Sequence, residues 1–270
     1  MIMRKRNSIV LIILLFLGGC SPLPVIPDNN DPDNTLSDTT SSNLSLASII
    51  EKACVVKYTF DNQDAKSKGG KQYDGVLMGA PQFIDDTPSG QGKAIFFNGI
   101  KEQYINIPYN VFSDYNCFTI SLWVKDFQTG HLIGGIRTDT STAHYNTPYL
   151  YLLNEGTFSF CVYYGYNSFG QTTFKYEYKS LQSSGWHHIS VSCDSPNKND
   201  AVLRLYIDGS LVESANSYWR DGSSGVSKVN IGGNGEGRFP VYLTAKIDEV
   251  AVYNSVLSPE AIRFIYENKL

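Results

Sequence analysis

Short runs in which apolar and polar residues alternate recur along the chain from Val55 onward, separated by residues that favour turns. Alternation with a period of two is typical of strands with one face buried. The run Phe118–Lys125 shows it clearly, with apolar residues at its even-numbered positions. The strands predicted in this way are Val55–Phe60, Ala94–Phe97, Tyr104–Ile107, Phe118–Lys125, Leu132–Ile136, Tyr149–Leu153, Thr157–Tyr164, Thr173–Lys179, Trp186–Cys193, Ala201–Asp208, Lys228–Ile231 and Lys246–Tyr253.

Turn and helix signals complete this pattern. Asp208-Gly209 predicts a tight hairpin, because this dipeptide accepts the positive φ angles of such turns. Ser258-Pro259-Glu260 predicts the start of a short C-terminal helix, and a weaker helical pattern covers Leu46–Lys52. No long helical crossover separates the strands, so a parallel α/β sheet is disfavoured. The chain is therefore predicted to be all-β, a two-sheet antiparallel sandwich with one short C-terminal helix.

The N-terminus has the pattern of an export signal. Three basic residues at positions 4–6 precede the apolar run Ile9–Leu17. As a helix this run would rise about 14 Å, far less than a bilayer core of about 30 Å. The sequence Leu17-Gly18-Gly19-Cys20 resembles the bacterial lipobox, in which the cysteine is lipidated and becomes the first mature residue. Residues 1–19 are thus predicted to be a lipoprotein signal peptide. The alternative is that Cys20 is buried or disulfide-bonded.

A polar segment follows the predicted lipidation site. Of the 28 residues of Ser21–Ser48, 21 are Pro, Asp, Asn, Ser or Thr, and none is aromatic. Such a stretch buries too little apolar surface to offset its ordering entropy. Residues 20–48 are therefore predicted to be the lipidated cysteine with a disordered tether, and residues 49–270 a single folded domain.

Composition and charge narrow the range of partners. The 18 Tyr, 14 Phe and 3 Trp residues suit pleated surfaces, and the 23 glycines suit the turns between strands. The formal net charge of −4 becomes −7 once the three basic residues of the signal are removed. This charge excludes electrostatic support for a nucleic-acid partner, and it disfavours an anionic lipid surface as a partner of the folded part.

Seven segments, in order, are similar to the laminin-G-like jelly roll of the concanavalin A-like lectin and glucanase superfamily, in its bacterial secreted form. The resemblance extends over about Leu46 to Leu270, and the helix start Leu257–Glu260 follows the last segment. The segments are Val56–Asp61, Gly92–Gly99, Tyr104–Pro108, Phe118–Val124, Gly185–Val191, Leu205–Gly209 and Ile247–Asn254.

The resemblance implies two antiparallel sheets, one convex and one concave, and functions that range over glycan binding, adhesion and hydrolysis. Hydrolases of the superfamily carry alternating carboxylates on one concave strand. The chain has no such triplet, because Glu177 is the one acid in its predicted strand and Asp248 and Glu249 are adjacent. The chain is therefore predicted not to be an enzyme. The neighbouring His187 and His188 point to opposite faces of a strand and are predicted to pack.

Calcium is the predicted cofactor, in a structural role. Asp248 shares strand parity with apolar residues, so its carboxylate is expected to point inward and to need a partner. The resemblance implies that first and last strands lie close together, which would bring Asp61 to Asp248, and some relatives hold calcium at this aspartate. The alternatives are backbone amides, Lys246 or Arg263. Where many relatives have Asp-Gly, this chain has Asn98-Gly99.

Four cysteines remain beyond Cys20, namely Cys54, Cys117, Cys161 and Cys193. An exported chain can form disulfides, and four cysteines allow three pairings that sequence does not separate. Cys193 shares a face with apolar neighbours, so a buried free thiol is the alternative for it.

Sugar rings stack on exposed aromatic side chains, with polar groups nearby to orient them. The candidate ligand-binding residues lie in loops outside the strand pattern: Trp219, Tyr218, Tyr145 and Tyr166. The alternative for each is packing.

The leading hypothesis is a non-catalytic carbohydrate-binding or adhesive module of a bacterial cell envelope, lipid-anchored in the outer membrane or at the cell surface. A protein-interaction or assembly subunit of the envelope is the second hypothesis. A glycoside hydrolase or lyase with non-standard residues is the third.

Overall fold

The computed structural model describes residues 45–100, 102–112, 115–137, 148–153, 156–162, 171–182, 185–197, 200–218, 226–233 and 242–270. Helix α1 covers residues 45–53 and helix α2 covers Pro259–Glu267. The strands are β1 (Cys54–Tyr58), β2 (Val76–Met78), β3 (Gln82–Ile84), β4 (Ala94–Asn98), β5 (Tyr104–Ile107), β6 (Cys117–Lys125), β7 (Gly130–Arg137), β8 (Tyr149–Leu152), β9 (Thr157–Cys161), β10 (Gln171–Glu177), β11 (His187–Asp194), β12 (Asp200–Ile207), β13 (Ser210–Tyr218), β14 (Val226–Ile231) and β15 (Thr244–Tyr253).

The strands form two antiparallel sheets. An eight-stranded sheet has the order β13-β12-β11-β6-β15-β4-β3, with β1 paired to β15 beside this path. A seven-stranded sheet has the order β10-β9-β8-β7-β14-β5-β2. Alternate residues of both sheets, such as Phe118 and Leu122 on one and Leu150 and Phe160 on the other, meet in one apolar core. The predicted all-β sandwich is confirmed.

The hairpin between β12 and β13 was predicted from its turn residues, whereas two short strands were not. Asp208 and Gly209 both have positive φ and connect Ile207 to its partner Ser210, so the predicted hairpin is confirmed. The strands β2 and β3 were not predicted, because each has three residues and carries too little alternation to stand out.

The outer face of the eight-stranded sheet is covered by both α-helices. Ser258 caps α2 by accepting a hydrogen bond from the Ala261 amide, and Pro259 occupies the first turn, as the sequence predicts. A second apolar cluster joins α1 and α2 to outward residues of β12 and β15. We call this surface the helix face; its members are Ile50, Ala53, Tyr206, Ala251, Tyr253, Leu257, Ala261, Ile262 and Ile265.

The cysteines do not form two disulfide bonds among the four positions, so none of the three predicted pairings occurs. Cys54 and Cys193 are free, whereas Cys117 is disulfide-bonded. Cys193 is buried in the core, where burial raises the pKa of its thiol, so the alternative of a buried free thiol is confirmed for it.

Cys20 lies outside the described residues, and so do Tyr145, Tyr166 and Trp219. Within the described ranges, no helix combines the length and apolar character needed to cross a bilayer.

Candidate ligand-binding face and cation site

The outer face of the seven-stranded sheet carries aromatic and amide side chains. Its central strands send Leu150, Val229 and Ile105 into the core, so the residues that alternate with these point outward. One row of outward positions runs across four strands in register: Tyr149 pairs with Gly134, Gly134 with Asn230, and Asn230 with Asn106. We call this surface the polar face; its members are Asn106, His131, Tyr149, Tyr151 and Asn230.

Two asparagines form the middle of the polar face. Asn106 Nδ2 donates a hydrogen bond to Asn230 Oδ1 at 2.9 Å. Asn230 is fully buried, and its own Nδ2 has no hydrogen-bond partner among the described residues. Asn106, Tyr149 and Tyr151 are half-buried, so part of each side chain faces solvent. Amide groups beside partly exposed aromatic rings are the usual means of orienting and stacking a polar ligand.

His131 lies on the same face, opposite Tyr151 in the ladder. Its ring folds over Gly134, with Nε2 only 2.9 Å from the place that a Cβ at that position would take. A side chain at position 134 would collide with the imidazole, so the glycine makes room for it. The ring is buried, and burial lowers its pKa to about 4 despite a hydrogen bond with the Gly134 backbone. The Nε2 atom of His131 is buried and has no hydrogen-bond partner in the described part of the chain.

The segments that contain the predicted aromatic residues each begin or end at the same end of the strands in the seven-stranded sheet. Pairings of Tyr149 with Cys161, of Cys161 with Gln171 and of Val226 with Arg137 place these five strand ends together. They border the segments that contain Tyr145, Tyr166 and Trp219. Tyr218 is the last residue of β13, opposite Asp200 in the eight-stranded sheet.

Sequence reasoning missed the residues of the polar face. Tyr149 and Tyr151 lie inside a predicted strand, and their alternation with Leu150 and Leu152 could have shown that they point away from the core. Tyr109 was also missed. It lies two residues after the end of β5, is 44% exposed and packs edge-on against Tyr73, with 5.2 Å between ring centroids.

The two aspartates predicted to hold calcium lie close together. Strand β1 pairs with β15, as the resemblance implies. Strand β15 bonds β4 through Thr244–Ile247 and β1 through Val250–Tyr253, and a bulge containing Asp248 lies between the two stretches. The positive φ of Glu249 marks this bulge, so the strict alternation that put Asp248 on the core side does not hold. Asp248 is nonetheless buried, as expected.

Burial and two acidic neighbours disfavour the charged form of Asp248. Burial, together with the neighbouring charges of Glu249 and Asp61, raises the pKa of Asp248 to about 8. Asp248 Oδ1 accepts a hydrogen bond from the Glu249 amide at 2.8 Å, and Asp61 Oδ1 accepts one from Lys93 N at 3.2 Å. The backbone amides considered as alternatives are therefore partners of both carboxylates.

The other alternative partners of Asp248 were Lys246 and Arg263. Lys246 is an ion-pair partner of Asp86 and Asp126 instead, at 2.7 Å each. No cluster of three or more acidic, histidine or cysteine side chains suited to a metal occurs in the described part of the chain. The two carboxylates suit calcium in donor type, and the remaining ligands would be backbone oxygens and water.

The histidines considered for catalysis are hydrogen-bonded to neighbouring side chains within the fold. His187 Nδ1 is 2.8 Å from Asp208 Oδ2, and the buried His188 Nε2 is 2.7 Å from Ser121 Oγ. Glu177 is exposed at the end of β10. Packing of the histidine pair is confirmed.

More than half of the chain matches the model of a known family. The model of Laminin_G_3, described as the concanavalin A-like lectin/glucanases superfamily, matches residues 98–263, more than half of the chain. The chain belongs to this family. No curated protein sequence matches the chain.

Several solved structures are similar to the chain in fold. One is a structure from work on the cell entry of botulinum neurotoxin type C, described as dependent upon interaction with two ganglioside molecules. It has a TM-score of 0.60 and 11% identity, and the match covers 83% of this chain and 53% of that one. The binding domain of botulinum neurotoxin DC in complex with rat synaptotagmin II has a TM-score of 0.59, 11% identity and coverage of 82% and 52%. The chain thus spans about half the length of these structures, and at this identity the likeness shows the fold.

Proposed function

We propose that the protein is a non-catalytic carbohydrate-binding module and that the polar face binds the sugar. The observation that carries the proposal is the combination of partly exposed Tyr149 and Tyr151 with the amide groups of Asn106 and Asn230 on one sheet surface. Tyrosine rings stack on sugar faces, and amides bond hydroxyls.

Three findings support a binding module. The family includes lectins. The solved structures with this fold include receptor-binding domains, one of them the botulinum neurotoxin DC binding domain in complex with SialylT. The acids weighed for hydrolysis lie apart, with Glu177 exposed at the end of β10 and Asp248 buried in the bulge of β15.

A glycan and polysaccharide array with the full chain tests this function. We expect saturable binding of at least one glycan class, and no release of reducing ends from the bound glycans on incubation. A folded chain that binds none of the glycans would contradict the proposal. Release of sugar products would favour a hydrolase or lyase instead.

A protein partner is the second candidate, and one observation favours it. Val76 is 53% exposed on the edge strand β2, and Tyr109, which follows the neighbouring strand β5, is 44% exposed. An exposed edge strand with apolar side chains can receive another chain. Capture of one envelope protein by the wild type and not by Tyr109→Ser, unaffected by sugars, would support this candidate.

We propose that calcium binds between Asp61 and Asp248 and stabilises the β1–β15 edge. Without the ion, the raised pKa of Asp248 means that the folded state holds its proton more tightly than the unfolded state, whose ordinary value is 3.8. Stability contributed by this group is then lost as the pH rises from about 4 to about 8. A bound cation would remove this loss by stabilising the carboxylate.

Thermal unfolding at pH 8 with calcium or with chelator tests the cation site. We expect calcium to raise the wild-type midpoint and to leave that of Asp248→Asn unchanged. In chelator the variant should unfold at a higher temperature than the wild type, because it lacks the buried charge. Asp85→Asn is the control, since its carboxylate is 87% exposed. An equal calcium response in all three proteins would contradict the site.

We further propose that lipid on Cys20 anchors the protein in a bacterial envelope, in the outer membrane or at the cell surface. The sequence predicted a tether up to residue 48, but α1 begins at residue 45 and Leu46 packs against the helix face, so the proposed tether ends before α1. Several acyl chains give stable anchoring. Metabolic labelling with an alkyne fatty acid should label the wild type and Cys54→Ser, and should not label Cys20→Ser. Label in all three proteins would contradict the anchor.

A further inference from the structure

Three hydrogen-bond donors converge on one carboxylate at the eight-stranded sheet. Asp86 Oδ2 accepts from Lys125 Nζ at 2.9 Å and from Lys246 Nζ at 2.7 Å. Its Oδ1 accepts from the Trp186 indole N–H at 2.9 Å. Burial acts to raise the pKa of Asp86, but the three donors outweigh it and hold the pKa well below its usual range. Lys125, Lys246 and Trp186 therefore form an anion-binding cluster, which we call the carboxylate clamp.

The sheet itself places the two lysines side by side. Lys125 and Lys246 are next to core residues in their strands, so their side chains point away from the core. They are paired with each other in the β6–β15 ladder. Like charges at directly opposite positions destabilise a sheet, so an anion between the ammonium groups is needed to offset their repulsion. Trp186 precedes β11, the strand on the other side of β6. The clamp is thus built at the ends of three neighbouring strands.

The carboxylate that fills the clamp comes from a separate part of the sheet. Asp86 follows β3, and β4 and β15 lie between β3 and β6 in the strand order. The turn after Asp86 is bonded within itself, since Thr87 Oγ1 donates to the Gln91 carbonyl. The side chains of Asp86, Lys125 and Lys246 are 35%, 25% and 23% exposed, so a dissolved anion can reach the ammonium groups. This arrangement allows a ligand carboxylate to replace Asp86.

The indole of Trp186 indicates which kind of carboxylate fits. Trp186 is half-buried, so part of its side chain faces solvent. Aromatic rings stack on sugar faces, and charge-assisted hydrogen bonds to a carboxylate are among the strong ones. A sugar acid such as a uronic acid carries a carboxylate and an apolar ring face in one residue.

We propose that the carboxylate clamp is a binding site for a sugar acid, whose carboxylate displaces Asp86 from Lys125 and Lys246 while its ring lies against Trp186. The site belongs to the eight-stranded sheet, whereas the polar face belongs to the seven-stranded sheet. It is therefore independent of the function proposed for the polar face.

Two-dimensional NMR of the ¹⁵N-labelled full chain at low salt tests the clamp through the indole N–H signal of Trp186, assigned with Trp186→Phe. The probes are methyl β-D-glucuronide and its neutral match, methyl β-D-glucoside. We expect the glucuronide to shift this signal saturably in the wild type and to bind at least tenfold more tightly to Asp86→Asn, which lacks the competing carboxylate. The glucoside should leave the signal unchanged. Asp85→Asn is the matched control and should bind as the wild type does, because its carboxylate is 87% exposed and pairs with Lys93 instead.

The possible outcomes separate a binding site from a structural ion pair. Equal glucuronide affinities of Asp86→Asn and Asp85→Asn would overturn the site and leave Asp86 as a structural partner of the lysines. Acetate that binds as tightly as the glucuronide would overturn the sugar acid as the ligand. If Asp86→Asn does not fold, Lys246→Gln decides, since it should bind the glucuronide at least tenfold more weakly than the wild type. Tyr151→Ala, on the polar face, should respond as the wild type does, and loss of its response would overturn the independence of the two sites.

Discussion

The two outer faces of the sandwich have opposite chemistry. On the helix face, Ile262 and Ile265 of α2 pack with Ala251 and Tyr253 of β15, all buried. The polar face presents Asn106, Tyr149 and Tyr151, which are partly exposed. One outer face is therefore covered by helices, whereas the other keeps part of its aromatic and amide surface exposed.

A buried histidine on each face sharpens this difference. The ring of His188 lies against Trp123 and Tyr266, with centroids 5.4 and 6.3 Å away, and Lys269 Nζ is 4.4 Å above the Trp123 ring. The protein itself thus closes over His188. His131 instead lies on the outer surface of the seven-stranded sheet, over the backbone of Gly134 and beside the ring of Tyr149. The two imidazoles are thus buried by different kinds of neighbour.

The largest effect is expected on the helix face. Ile265→Ala should lower the free energy of unfolding by about 2–5 kcal/mol, because the buried side chain leaves a cavity between α2 and the eight-stranded sheet. Urea denaturation measures the loss. A loss below about 1 kcal/mol would show that α2 contributes little to the fold.

A smaller effect is expected on acidification, and it involves both faces. Burial lowers the pKa of His131 to about 4, and burial together with the nearby Lys269 charge lowers that of His188 to about 3. The unfolded chain takes up protons near pH 6.5 and the folded chain does not, so stability is lost as the pH falls from about 6.5 to 4.

The double variant His131→Gln, His188→Gln isolates this pH effect. Its free energy of unfolding should fall less steeply than that of the wild type over the same range, by one to a few kcal/mol, since each tenfold difference in proton affinity is about 1.4 kcal/mol. Comparing slopes removes the opposite contribution of Asp248. Identical slopes would mean that neither imidazole is held neutral.

The smallest effect on stability is expected on the polar face. Tyr151→Ala should cost about 1 kcal/mol or less, because the side chain is partly exposed and outside the core. Its urea midpoint should stay close to that of the wild type. A loss comparable with that of Ile265→Ala would show that the polar face is packed rather than available.

Much of the fold could be predicted from the sequence, because alternation and turn chemistry are local signals. The hairpin at Asp208-Gly209 and the cap at Ser258 were both predicted and both occur. The bulge at Asp248 and Glu249 was not predicted, because it lies where the pairing partner of β15 changes from β4 to β1. Which strands pair is decided only when the whole sheet forms.

The candidate site was harder to predict for a related reason. His131, Tyr149 and Asn230 come from three strands separated by up to a hundred residues, and only the register of the seven-stranded sheet brings them together. The sequence favoured loop aromatics such as Trp219, which lie outside the described residues and stay predictions.

The most direct test of the carbohydrate-binding account is a comparison of affinities for one array-positive glycan. Tyr151→Ala, on the polar face, should bind at least tenfold more weakly than the wild type. Leu211→Ala, at a half-exposed position of β13 in the other sheet, should bind as the wild type does. Equal affinities for all three proteins, or a loss confined to Leu211→Ala, would contradict the account.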